Sequence, residues 1–296
     1  MTTAPAFAAH TLREIGTQPQ MWRQAIAQAA AGTALPPAGT PVLFVGCGTS
    51  YYIGQAYAHL RNQLGLGRTR AGVPSELDWI EPDETVVVLS RSGTTGDVIA
   101  AARKMRTTHR VIGIIGATGT PLVGACDDVV ALDYADEVSV VQTRFATTAF
   151  MLLRASLTDD VATLPDEAER ALARPLPDVV PAHVVFLGTG FSLGLAHEAA
   201  LKCLESSGRW AEAYAVREYQ HGPVSAAGPG TLVWPLVPLP ESVRSGVLAT
   251  GATLVTPTLD PQAELIAVHH LAVAMAGAAG RNPDVPPFLS RAVENG

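Results

Sequence analysis

The chain has 296 residues, nearly half of them apolar and only 16% charged, which suits two ordinary domains and excludes a disordered polymer. Its net charge of −7 comes without a Lys/Arg cluster, leaving no electrostatic footprint for nucleic acid or anionic lipid. No apolar run reaches the roughly 18–20 residues of a membrane span, residues 1–28 lack an export-signal pattern, and three cysteines lie scattered, so a cytoplasmic, reducing setting is expected.

Residues 10–31 are predicted as a helix interrupted near Pro19, with Trp22 and Ile26 on its apolar side and Pro36-Pro37 closing it. Val42 to Val45 reads as a buried strand that ends in Gly46-Cys47-Gly48-Thr49-Ser50, with a helix over 52–64 behind it. Thr85 to Leu89 is a second strand, running into Ser90-Arg91-Ser92-Gly93-Thr94-Thr95-Gly96 and a helix over 97–105. Strands at 110–115 and 129–132 and a helix over 143–157 follow. Short apolar strands alternating with helices mark a parallel sheet covered on both faces.

Pro165 to Asp178 reads as a helix plus linker, and then the pattern restarts. Val184 to Leu187 leads into Gly188-Thr189-Gly190-Phe191-Ser192 and a helix through Ser207. Each half thus opens with an apolar strand, a G-x-G-x-S turn and an Ala-rich helix, as two copies of one unit would. Strands at 231–237 and 252–255 and a helix near 262–276 complete the second copy. The expected division is an N-terminal helical segment 1–32, α/β domains 33–165 and 175–280, and a Pro-rich tail 281–296.

Ser90 to Gly96 joins a buried strand to a helix N-terminus, where unpaired N–H groups and the helix dipole favour an anion. Glycine permits close approach, and Ser90, Ser92, Thr94 and Thr95 add hydroxyls, so the turn is a phosphate cradle that needs no lysine. Thr49 and Ser50 are placed at the same C-terminal sheet edge, where open α/β folds bind ligands. Ser, Thr and Gly also cap helices and build turns with no ligand; two such loops in one lobe tip the reading towards a ligand.

Only two of the 20 basic residues are lysines, Lys104 and Lys202. Glu198, Lys202 and Glu205 share one face of the helix 193–207, a spacing that by itself fits an exposed ion-pair stripe. Lys202 stands out in a chain that otherwise uses arginine. Downstream, His221 precedes Gly222-Pro223, on a turn rather than in a core, and Glu with His suits acid–base chemistry near neutral pH. Gly46 to Tyr51 lacks the third glycine of a dinucleotide fingerprint, and Gly93 to Gly96 lacks the Gly-Lys-Ser/Thr of a P-loop, so neither NAD nor ATP is supported. No metal-ligand spacing and no G-x-S-x-G elbow is present, and no cofactor or metal is expected.

Taken in order, these residues resemble the SIS (sugar isomerase) family: Glu14-Ile15 with Gln18-Pro19, Gly48-Thr49-Ser50, Ser90-Arg91-Ser92-Gly93 with Thr95, Ala199 to Lys202 with Glu205, Glu212-Ala213-Tyr214, and His221-Gly222-Pro223. The pattern is similar to the isomerase half of glucosamine-fructose-6-phosphate aminotransferase and to stand-alone AgaS-type phosphosugar isomerases and deaminases. The resemblance implies an α/β fold of two tandem SIS lobes, each a three-layer αβα sandwich around a five-stranded parallel, flavodoxin-like sheet, in a homodimer. It puts a sugar phosphate on Ser50, Ser90, Ser92 and Thr95, with Thr49 and Arg91 lining the site and Gln142 along the substrate. It makes Glu205 the base that moves a proton between C1 and C2, places Lys202 near the sugar, and has His221 arrive from the other subunit to assist ring opening. The implied activity is aldose–ketose isomerisation or amino-sugar-phosphate deamination; a non-catalytic phosphosugar sensor, or a deglycase or epimerase, are the alternatives. With no glutaminase domain and no N-terminal cysteine, amide transfer from glutamine is not expected. Arg91 and Thr94 depart from the family's glutamine and glutamate; Arg291, in the tail that the resemblance puts near the active site, is expected with Gln142 by the sugar's far hydroxyls and stands where the aminotransferase has a lysine. Arginine stays protonated and forms no imine with a ketose.

Overall fold

The structure is a computed structural model that describes residues 6–178 and 180–293. The outer ends of the expected helical segment and tail, 1–5 and 294–296, lie outside the described residues. The chain divides into two compact units, Gln20–Glu137 with Arg144–Thr163 and Ser290–Gly296, and Met1–Pro19 with Val138–Thr143 and Leu164–Leu289. The predicted helix break is present, α1 being Ala9–Gly16 and α2 Gln18–Ala30. Thr17 ends α1 by donating its hydroxyl to the Glu14 carbonyl, and Pro19 is tolerated in the first turn of α2, where its missing N–H has no partner to lose.

In the first unit the chain runs through β1 (Val42–Val45), α3 (Thr49–Gln63), β2 (Thr69–Gly72), β3 (Thr85–Ser90), α4 (Gly96–Met105), β4 (Val111–Ile115), β5 (Asp128–Ala131) and α5 (Arg144–Ala155). All five strands are parallel, in the order β2-β1-β3-β4-β5. Leu43, Val45, Val86 and Val88 pack with Val98, Ala102 and Met105 of α4. Strand alternation turns Phe44 to the other face, where its ring lies 5.7 Å from that of Tyr57 on α3. Helix α3 comes in close because position 54 is glycine; a Cβ there would sit 2.4 Å from the Phe44 ring.

Strand β2 was not legible in the sequence. Thr69-Arg70-Ala71-Gly72 has no apolar run because an edge strand needs to bury little. Its outer edge is blunted by Asn62, whose side chain accepts the Thr69 N–H and donates to the Thr69 carbonyl at 2.8 and 2.7 Å.

The second unit contains α6 (Leu164–Leu172), β6 (His183–Gly188), α7 (Phe191–Ser207), β7 (Trp210–Ala215), β8 (Thr231–Pro235), α8 (Glu241–Ala249), β9 (Thr253–Leu254) and α9 (Pro261–Ala278). Its sheet is parallel with the order β7-β6-β8-β9, four strands among the described residues rather than the five implied by resemblance. After the two-residue β9 the chain turns through Pro257 straight into α9. Asp260 starts that helix by accepting the Gln262 N–H, with Pro261 at the first helical position. α1 is pinned in this unit by Asp284, which accepts the His10 and Thr11 amides and the Thr11 hydroxyl at 2.7–2.9 Å. No helix among the described residues is long and apolar enough to cross a membrane.

Candidate active site

The strand order of the first unit reverses between β1 and β3. Open parallel sheets bind ligands in the crevice at such a reversal, beyond the carboxyl ends of the strands. The loops that leave β1 and β3 are the two hydroxyl-rich turns, Gly46 to Ser50 and Ser90 to Gly96. Both run into helix N-termini, α3 of 15 residues and α4 of 10. Thr49 and Ser50 form the first turn of α3 and are almost fully buried.

In the second turn Ser90, Arg91 and Ser92 are buried, while Thr94, Thr95 and Gly96 are partly open. Ser90 Oγ accepts the Gly93 N–H at 3.1 Å, and Ser92 Oγ accepts the Thr94 N–H at 3.2 Å. A hydroxyl used as an acceptor still has its proton to donate, so the turn is both self-braced and able to face an oxyanion. Thr95 caps α4 by position without using its side chain. Gly93 has φ +63°, and a Cβ there would fall 2.0 Å from Thr120 Oγ1, which itself bonds the Ala117 carbonyl. Gly93→Ala is therefore expected to cost roughly 1–2 kcal/mol from the left-handed backbone alone. The measurement is a urea midpoint alongside phosphate titration, and unchanged values in both would count against a strained, preformed turn.

Beside this turn is an open cavity of about 680 Å³ lined by Ser92, Thr94 and residues Ser290 to Val293. The Arg291 guanidinium is held by the Asp136 carboxylate and the Glu137 carbonyl. Its main-chain carbonyl accepts from Arg91 Nη2 at 3.0 Å. Sequence reasoning selected Arg91 and Arg291 but missed Asp136. No local signal marks it, because the pair is 155 positions apart.

The repeat in the second unit is not equipped alike. Ser192 turns its hydroxyl onto the Thr189 carbonyl and accepts the Thr189 N–H, both at 2.8 Å. The loop after β8, Leu236-Val237-Pro238-Leu239-Pro240, has no hydroxyl. Titratable chemistry is concentrated on α7 instead. Lys202 is only 1% exposed, with Nζ 2.5 Å from Glu205 Oε2 and 3.4 Å from Glu198 Oε1. Glu198 is fully buried, whereas the Glu205 side chain is 23% exposed. The exposed-stripe reading is thus corrected: a buried ammonium exists here because two carboxylates compensate its lost hydration. Glu205 is the member of the trio with access to the surface.

His221 lies exposed at the end of a short 3-10 turn, Glu218–His221, and Gly222 after it has φ +139°. Gln142 has its Oε1 buried without a hydrogen-bond partner among the described residues. No group of three or more His, Cys, Asp or Glu among the described residues could hold a metal ion.

Behind Lys202, burial pushes His269 of α9 well below the ordinary histidine value, with the Lys202 charge and neighbouring His270 adding to it. Its Nδ1 is 3.3 Å from Gln18 Nε2. Burial lowers His197 and His270 as well. The fully buried His269 resists protonation in the fold, while the unfolded chain takes up that proton near pH 6.5. Stability from this group is therefore full above about 6.5 and falls as pH drops below it, by at most about 1.4 kcal/mol per pH unit. Melting temperatures between pH 7.5 and 5 should fall accordingly, and His269→Gln should flatten the profile. A flat wild-type profile would contradict this account.

Residues 39–158, which hold the five-stranded sheet and both hydroxyl loops, match the sequence profile of the SIS domain. The chain contains a SIS domain. Glutamine–fructose-6-phosphate aminotransferase [isomerizing] of Legionella pneumophila is 30% identical over 302 aligned positions, covering 84% of this chain and 50% of the relative. The chain spans half or less of the length of the first curated relatives it matches. Among solved structures, glucosamine-6-phosphate deaminase from Thermotoga maritima superimposes with TM-score 0.81 at 25% identity, covering 96% of this chain and 99% of that one. Tagatose-6-phosphate ketose/aldose isomerase from Escherichia coli, at 20% identity, shares the fold with TM-score 0.78 over 100% of this chain and 99% of its own.

Proposed function

We propose that this chain binds a sugar phosphate and is an isomerase or deaminase acting by proton transfer between C1 and C2. The observation that carries the reading is the pair of Gly- and hydroxyl-rich loops at the β1/β3 reversal, each opening a helix N-terminus. Ser50, Ser90, Ser92 and Thr95 hold the phosphate, and Thr49 and Arg91 line its site; amide dipoles and hydroxyls suit a dianion without a lysine. Similarity to an aminotransferase that isomerises and to a glucosamine-6-phosphate deaminase supports the substrate class.

Glu205 is the base. It takes the proton from C2 of an open-chain aldose, the electron pair forms an enediol, and the same carboxyl returns the proton to C1 to give the ketose. With an amino sugar the intermediate is an enolamine, and water then displaces ammonia from the resulting imine. Lys202 fixes the Glu205 carboxylate through its 2.5 Å bond. His221 of a second copy assists ring opening, and Gln142 accepts from a sugar hydroxyl.

The test is incubation with hexose and hexosamine 6-phosphates in heavy water. Deuterium appearing at C1 or C2 is the expected result. Binding without exchange would turn the reading into a phosphosugar sensor, and absence of both would remove it.

A further inference from the structure

The segment after Leu289 does more than border the cavity. Val293 presents its carbonyl to the Gly96 N–H, the first amide of α4, at 3.1 Å. Two residues earlier the Arg291 carbonyl takes the Arg91 guanidinium at 3.0 Å. Both contacts on the phosphate turn are made by tail main chain, which cannot by itself set its register. The Arg291 side chain can set it, because its Nη2 reaches both Asp136 carboxylate oxygens, at 2.5 and 2.7 Å, and its Nη1 reaches the Glu137 carbonyl. A guanidinium gripping one carboxylate and one carbonyl is an orientational lock.

We propose that Asp136 is a positioning residue that, through Arg291, clamps residues 290–293 beside the phosphate turn and thereby sets the preference for a sugar phosphate over bare phosphate. The inference rests on the phosphosugar reading above. Its chemistry follows from the groups the tail presents. Carbonyl oxygens of Arg291 and Val293 are acceptors, so they repel phosphate oxygens and receive sugar hydroxyls. The Arg291 charge is neutralised by Asp136 and is not offered to the anion. Releasing the clamp removes the wall that meets the sugar, and it frees the Gly96 amide for a small anion.

The experiment compares the full chain with Asp136→Asn, Arg291→Gln and the exchanged pair Asp136→Arg with Arg291→Asp. Inorganic phosphate and a panel of hexose 6-phosphates are titrated by calorimetry, and exchange of the Gly96 amide with deuterium is followed without ligand. Each single substitution should speed Gly96 exchange, loosen the hexose 6-phosphate about tenfold, and leave inorganic phosphate unchanged or tighter. The exchanged pair should recover both values. Equal losses for the two ligands, unchanged Gly96 exchange, or no recovery would each overturn the clamp. If the unaltered chain binds neither ligand, the phosphosugar reading fails, and Gly96 exchange alone still decides whether Asp136 holds the tail.

Discussion

Glu205→Gln is expected to lower the rate of C1/C2 proton exchange by about 10²–10⁴-fold. The amide has nearly the same shape as the carboxylate and keeps an oxygen for Lys202, but it cannot accept a proton from carbon. Stability should change far less, because Lys202 still has Glu198 at 3.4 Å. The measurement is a rate of deuterium incorporation with a parallel urea curve. Exchange within tenfold of the unaltered chain would remove Glu205 as the base. A collapse of stability with no independent loss of rate would make it a structural residue.

Lys202→Met is expected to destabilise the fold by about 3–5 kcal/mol, the usual consequence of removing one member of a buried ion pair. Glu198 is the reason: it is fully buried beside the ammonium and has no route to bulk water. Against a total stability of roughly 5–15 kcal/mol this is a large fraction. Adding Glu198→Gln to Lys202→Met should restore most of the loss, since an amide in place of a carboxylate removes the buried charge. Urea midpoints for the two variants decide it. A loss below about 1 kcal/mol for the single substitution would mean that Glu198 is neutral or solvated in the fold.

The hydroxyl loops were legible in the sequence because each is a continuous segment. A buried strand, a Gly-rich turn and a helix start are all within ten residues, so residue types alone fix what Ser90 to Gly96 can present. The lysine count singled out Lys202, yet its spacing from Glu198 and Glu205 fits an exposed stripe as readily as a buried cluster. Packing of α7 against α9 made the choice, and no periodicity within α7 contains that information. Strand β7 is a similar case. Glu212 and Tyr214 drew attention as residues, but Trp-Ala-Glu-Ala-Tyr-Ala over 210–215 gives no apolar run. It is a strand because its backbone pairs with β6, and Tyr214 donates to Glu212 along one face at 2.9 Å.

By itself, then, the sequence determined a parallel α/β chain with a repeated strand–turn–helix opening, and where its hydroxyl-rich turns lie. Those properties depend on neighbours a few positions away, where steric and hydrogen-bonding preferences act directly. Tertiary structure alone decided that the edge strands β2 and β7 exist, that the second sheet has four described strands, and that Lys202 is buried. It also decided that Arg291 meets Asp136. Each of these depends on groups brought together by burial across long stretches of chain, and burial is a property of the folded whole rather than of any segment.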